Sequence, residues 1–222
     1  MSKTQSAIAK LVPALLAGGL LVAMAAVLML NAVPVKAWNE TPPPCKDFMT
    51  GGGFITPSNN GAHANFGMGG SCKPGGDGHG LWGHLEYVDH GSGISSSPTV
   101  PVPFTVHWLT ITGYFQDFVG GVPDGGAPHQ PTGARIICGT ARTNDPLHPN
   151  VNFGVRGNDQ GEPGTMDQFD IALQDGTGTF YATAPCGPSC FHTLAGGNIQ
   201  LHAGGNINGT FGPEGGCPAL GR

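Results

Sequence analysis

The chain has 222 residues, 39 of them glycine and 20 proline, with 14 Asp and Glu against 9 Lys and Arg. That length suits one domain with flanking segments. The first 37 residues hold Lys3, Lys10 and Lys36 and no acid, so without them six cations face fourteen acids, a net charge of −8. Such a surface cannot neutralise a run of phosphates, and nucleic acid is excluded as a partner.

Lys3 and Lys10 open the chain, a mostly apolar, uncharged stretch runs from Leu11 to Val35, and Val35-Lys36-Ala37 follows as a small-x-small cleavage pattern. This is the layout of a secretory signal peptide over residues 1–37. The competing reading is an uncleaved N-terminal membrane anchor, because the stretch is long enough to span a bilayer. Pro13, Gly18, Gly19, Asn31 and Pro34 make it a mediocre permanent helix. In either reading the rest of the chain faces the outside, and an uncleaved segment is its one link to a membrane.

All six cysteines (Cys45, Cys72, Cys138, Cys186, Cys190 and Cys217) follow residue 37. An even number in an exported chain reads as up to three disulfides, with 15 connectivities open. Zinc is the rival, but only Cys186 and Cys190 approach a knuckle spacing and no second pair completes it. Cys45 and Cys217 lie near the two ends of the mature chain, where a bond between them would clamp the termini.

Residues 38–50 form a proline-rich lead-in, read as extended. From Gly51 short apolar runs are broken by Gly, Pro, Asn and Asp, with no helical period. Alternation over Leu81 to Asp89 sets Leu81, Leu85 and Tyr87 against Trp82, His84, Glu86 and Val88. The same period of two runs through 105–115, 152–156 and 167–174. Asp175-Gly176-Thr177-Gly178 is a hairpin signal, since glycine supplies the positive φ of the turn. With 52–56, 64–68, 134–142, 179–182 and 198–202 this predicts about nine short strands. The fold class is therefore all-β: an antiparallel β-sandwich or partly closed barrel over 51–203, with glycine-rich loops and disulfide staples. Long loops are expected at 73–80, 91–103, 120–133 and 143–150, and an irregular tail over 204–222.

Two groups of residues could carry chemistry. The loop Gly157 to Asp167 gathers Asn158, Asp159, Glu162 and Asp167, hard oxygen donors of the kind calcium prefers, although not in the EF-hand register. Asp159, Glu162 and Asp167 are the candidate calcium ligands, against a plain polar turn in which such side chains bond their own backbone. On a strand, His84, Glu86 and His90 share a face and could converge on a metal, against a simple solvated face. No nucleophile elbow is present, and the serines cluster at Ser92 and Ser95 to Ser97. No catalytic residue and no required cofactor is assigned.

Gly51-Gly52-Gly53-Phe54-Ile55, Ala62-His63-Ala64-Asn65-Phe66-Gly67, Gly83-His84-Leu85-Glu86-Tyr87-Val88-Asp89-His90-Gly91, Gly161-Glu162-Pro163-Gly164, Asp167-Gln168-Phe169-Asp170-Ile171 and Gly196-Gly197-Asn198-Ile199-Gln200-Leu201-His202 follow in order. This set resembles the bacterial post-COAP family of β-rich extracellular modules, over about residues 51–202. The resemblance implies a β fold in a secreted or cell-surface bacterial protein and assigns no activity. The expected function is a non-catalytic β-module, binding or structural, with an envelope component, matrix or polysaccharide as partner. Trp82 and Trp108 are candidate sugar-stacking rings, against packing within the sheet. The alternative is an exported metal-dependent hydrolase using the His84/Glu86/His90 face.

Overall fold

The structure, a computed structural model, describes residues 47–58, 60–72, 81–92, 100–117, 125–127, 129–183, 191–203 and 217. The segment 1–37, the lead-in up to residue 46, Cys45, Cys186, Cys190, the side chain of Cys72 and the expected loop 73–80 lie outside the described residues. Those described all belong to one unit, Pro42–Arg222.

Eleven strands and no helix form among them: β1 (Asp47–Ile55), β2 (Ala64–Cys72), β3 (Leu81–Asp89), β4 (Phe104–Gln116), β5 (Gly125–Ala127), β6 (Gln130–Thr143), β7 (Asn150–Asp159), β8 (Gln168–Asp175), β9 (Gly178–Ala182), β10 (His192–Thr193) and β11 (Gly196–Ala203). Every pairing is antiparallel, in the order β10-β8-β7-β6-β4-β3-β2-β1-β11, with β5 added to β6 and β9 to β8. The sheet curls into a half-barrel, so of the two expected forms the partly closed barrel is the one adopted. All nine expected strands are present. The additional β5 and β10 are two or three residues long, too short to show an alternation, and β5 turns part of the expected 120–133 loop into a hairpin with β6. β1 begins at Asp47, inside the expected lead-in, because Asp47 pairs with β11 and Phe48, Met49 and Thr50 pair with both β2 and β11.

Alternation divides each strand between a concave inner face and a convex outer one. Met49, Ile55, Phe66, Met68, Leu85, Tyr87, Val106, Tyr114, Ile137, Phe153, Val155, Phe169, Ile171, Tyr181, Ile199 and Leu201 fill the concavity, each under 7% exposed. Phe66 and Phe169, from opposite walls, stack at 3.8 Å with planes 4° apart. Where walls close most tightly a side chain is missing: a Cβ on Gly70 would lie 2.7 Å from Ile137 Cδ1, and one on Gly157 2.4 Å from Met68 Cε. A buried polar chain crosses the core. The Tyr87 and Tyr181 hydroxyls meet at 2.6 Å, and Tyr181 donates to Asp89 Oδ2 at 2.8 Å. Asp89 also accepts from the amides of Gly91 and Ser92 and from the Ser92 hydroxyl, which closes the turn after β3.

The tail is tied to the outer face by a disulfide. Cys217 pairs with Cys138 on β6, Cα to Cα 5.7 Å, and both are buried with Ile136 and Phe115. This corrects the expected Cys45–Cys217 clamp: Cys138 shares the face of β6 on which Cys217 packs, and spacing along the chain carries no information about that.

Candidate functional site

Asp159 ends β7 and Asp167 precedes β8, and both are buried beside the free edge of β11. Among the described residues β11 pairs with β1 alone, so its amides on the other side need acceptors. Asp159 Oδ2 accepts from the Leu201 amide at 2.7 Å, and Asp167 Oδ2 from the Ile199 amide at 2.8 Å. The other two oxygens hold the loop itself: Asp159 Oδ1 accepts from Gly161 and Asp167 Oδ1 from Gln160. Exposed Glu162 accepts from Asn198 Nδ2 at 3.2 Å. Burial raises the Asp167 pKa above 3.8 against the lowering by its two amide donors, and the charges of Asp159 and Glu162 push the same way. The three candidate calcium ligands are thus neighbours, and what they do is latch the half-barrel along its seam. Nearby, Asp47 on β1 meets Arg135 on β6 (Nη2 to Oδ2 2.5 Å, Nε to Oδ1 3.1 Å) and accepts from the Tyr114 hydroxyl, tying the same walls together inside.

A cavity of about 230 Å³ lies over this seam, lined by the β5–β6 hairpin, Asp159, Glu162, Gln200 and Leu201. It is smaller than the usual range for small-molecule sites, and none of its described lining residues is a histidine.

His84, Glu86 and His90 share the outer face as expected, and all three are exposed, but the structure does not bring them together. Glu86 is paired with His107 Nδ1 on β4. The His84 ring leans over Gly69, where an added Cβ would lie 2.9 Å from its Cε1. His90 Nε2 stands 3.5 Å from Asn65 Nδ2.

A second arrangement occupies this outer face, on β11, β1, β2 and β3. The register aligns His202, Phe48, Ser71 and Trp82 in one row, Gln200, Thr50, Gly69 and His84 in the next, and Asn198, Gly52, Gly67 and Glu86 in a third. Phe48 stacks on His202 (4.3 Å, 9°), with Trp82 tilted beside it at 6.3 Å, and Thr50 Oγ1 holds the His202 Nε2 at 3.0 Å. In the middle of the third row the side chains stop: a Cβ on Gly67 would meet nothing within 4 Å, and one on Gly52 would touch only the Phe66 carbonyl at 3.5 Å. Phe54, stacked on His63 at 4.6 Å, closes the far end. The result is a shallow trough with a bare backbone floor, polar margins and an aromatic platform at each end. Six residues separate Phe48 from Phe54, about 20 Å of strand. No family model matches the chain, and no curated protein and no solved structure matches it.

Trp82 belongs to this trough. Trp108 packs partly against the core instead. Sequence reading did not single out Phe48, Phe54, Gly52 and Gly67. The available signal was mid-strand glycine at alternate positions, which marks a close approach to a surface rather than a turn.

Proposed function

We propose that the chain is a non-catalytic, secreted or cell-surface β-module that binds an extended polysaccharide of envelope or matrix along this trough. The observation that carries the reading is the bare floor of Gly52 and Gly67 between two aromatic platforms. Aromatic faces suit the apolar faces of sugar rings, and the flanking amides and hydroxyls suit their hydroxyl groups. The post-COAP resemblance, with its extracellular setting, is part of the same reading. The hydrolase alternative draws less support, because Glu86 is engaged with His107 and the three residues it needs lie apart. A calcium ion at Asp159, Glu162 and Asp167 would share oxygens that already accept hydrogen bonds, so the binding reading does not depend on one.

The test is retention of the full oxidised chain on insoluble polysaccharides and envelope fractions, with calcium or with chelator. Trp82→Ala and Phe48→Ala should each lower retention about tenfold, the loss of one stacking contact, at unchanged melting temperature. Retention equal to that of the unmodified chain in both variants overturns the reading. Loss with chelator alone moves the site to the Asp159 loop.

A further inference from the structure

The trough stands apart electrically from the rest of the molecule. Nearly every described carboxylate is spent elsewhere. Asp47 holds Arg135, Asp117 holds Arg156, Asp170 meets His192 and Asp175 meets His148. Asp89 and Asp145 cap turns, and Asp159 and Asp167 latch the seam. That leaves Glu86, paired with His107, as the one acid on the outer face of β1 to β4 among the described residues, and Glu162 at the β11 margin against Asn198.

Several of the described groups able to carry positive charge lie on or beside that face. They are His202 on β11, His84 on β3, His107 on β4 and Arg142, opposite His107 on β6, with His63 and His90 at the loop end. Five of the nine histidines in the chain therefore surround a trough with no charged group on its floor. Neighbouring β1 and β2 contribute only Phe48, Thr50, Gly52, Phe54, Asn65, Gly67, Gly69 and Ser71 to it. Among the described residues, the outer face of β1 to β4 thus carries Glu86 as its one acid and is bordered by imidazoles.

We propose that the trough takes an acidic polysaccharide, its carboxylate or phosphate groups held by the imidazoles and Arg142, and that it grips more tightly as the pH falls. This rests on the glycan-binding reading and adds the charge of the ligand. Imidazole is the side chain that gains its charge between about pH 8 and 5. Glu86 and Glu162 are the opposing charges, and the pairing of Glu86 with His107 limits its repulsion of the ligand.

The experiment compares retention of the full oxidised chain on immobilised polygalacturonate, on its methyl ester and on phosphomannan, at about pH 7.5 and 5.5. The ester keeps the rings and linkages and removes the charge. Exposed ion pairs are individually weak, so three or four together should raise retention on an acidic polymer about tenfold at the lower pH. Added salt should reverse the gain. The double variant His84→Gln/His107→Gln should lose most of the pH effect while keeping its melting temperature. Retention on phosphomannan alone would identify the anion as phosphate. Equal, pH-independent retention on polygalacturonate and its ester, still abolished by Trp82→Ala, overturns the charge inference and leaves the glycan reading standing. Retention on none of the polymers or envelope fractions overturns both.

Discussion

On β1 and β2 the inner face carries Met49, Ile55, Phe66 and Met68, all nearly inaccessible, while one residue away the outer face carries Gly52, Gly67 and Gly69. Inside, rings such as Phe66 and Phe169 stack across from opposite walls, and glycine appears where two walls would collide. Outside, Gly69 lies under the His84 ring, but Gly52 and Gly67 sit where an added Cβ would collide with nothing. A missing side chain on the inner face is explained by its neighbours. On the outer face, the vacancy above Gly67 has no neighbour to explain it, which is why function is sought there. The polar groups divide in the same way: carboxylates at the seam hold backbone amides, while imidazoles line the outer surface.

The sharpest way to break the inner arrangement is at the seam. Arg135 is 4% exposed and its guanidinium lies against Asp47. Asp47→Ala takes that carboxylate from a buried cation and should cost about 3–5 kcal/mol, read as a lower urea midpoint at unchanged slope. A loss under 1 kcal/mol would mean that the β1–β6 bridge does not hold the walls together.

Asp167→Ala comes next. It deprives the buried Ile199 amide and the Gln160 amide of their acceptor, at about 1–3 kcal/mol for a buried donor left without one. Hydrogen exchange should show the Ile199 amide opening while the β2–β3 amides stay protected. Uniform loss of protection would contradict a local latch. The same side chain has a pH signature. Its raised folded pKa means that the folded state binds the proton more tightly than the unfolded chain. Its contribution to stability is therefore fully present below pH 3.8 and falls as the pH rises through the folded pKa. Asp175, its pKa lowered to about 2 by hydrogen bonds from Thr177 and His148, acts oppositely, losing its contribution as the pH falls from 3.8 toward 2. Asp167→Asn should remove the first slope and leave the second, as urea midpoints between about pH 2 and 6 would report.

Much of the inner face was legible in the sequence, because a buried strand face must repeat every second residue, and Leu81, Leu85 and Tyr87 do so. The seam was half legible. Asp159 and Asp167 stood out as oxygen donors in a loop, but the groups they serve are amides of Leu201 and Ile199, more than thirty residues further on and invisible to any local pattern. The disulfide failed for the same reason, since 15 pairings fit the spacing and only the fold sets Cys217 against Cys138 on the outer face of β6. The trough was concealed differently. Its glycines read as punctuation, and only the register shows that Gly52 and Gly67 are neighbours across two strands with empty space above them.

The smallest expected effect on stability separates the two faces most directly. Gly139 and Gly67 are both mid-strand. A Cβ on Gly139 would lie 2.0 Å from the Thr110 carbonyl oxygen and 2.7 Å from Phe153 Cε1, whereas one on Gly67 meets nothing within 4 Å. Gly139→Ala should cost about 3 kcal/mol, because backbone cannot yield as a side-chain tip can. Gly67→Ala should be neutral or stabilising by about 0.5 kcal/mol, since alanine narrows the unfolded ensemble and strains nothing here. Glycan retention should run the other way: Gly67→Ala puts a methyl group on the trough floor, so retention should drop while the melting temperature holds or rises. If Gly67→Ala retained its ligand in full, the bare floor would be a by-product of strand composition, and the outer face would lose the feature that distinguishes it from an ordinary solvated sheet.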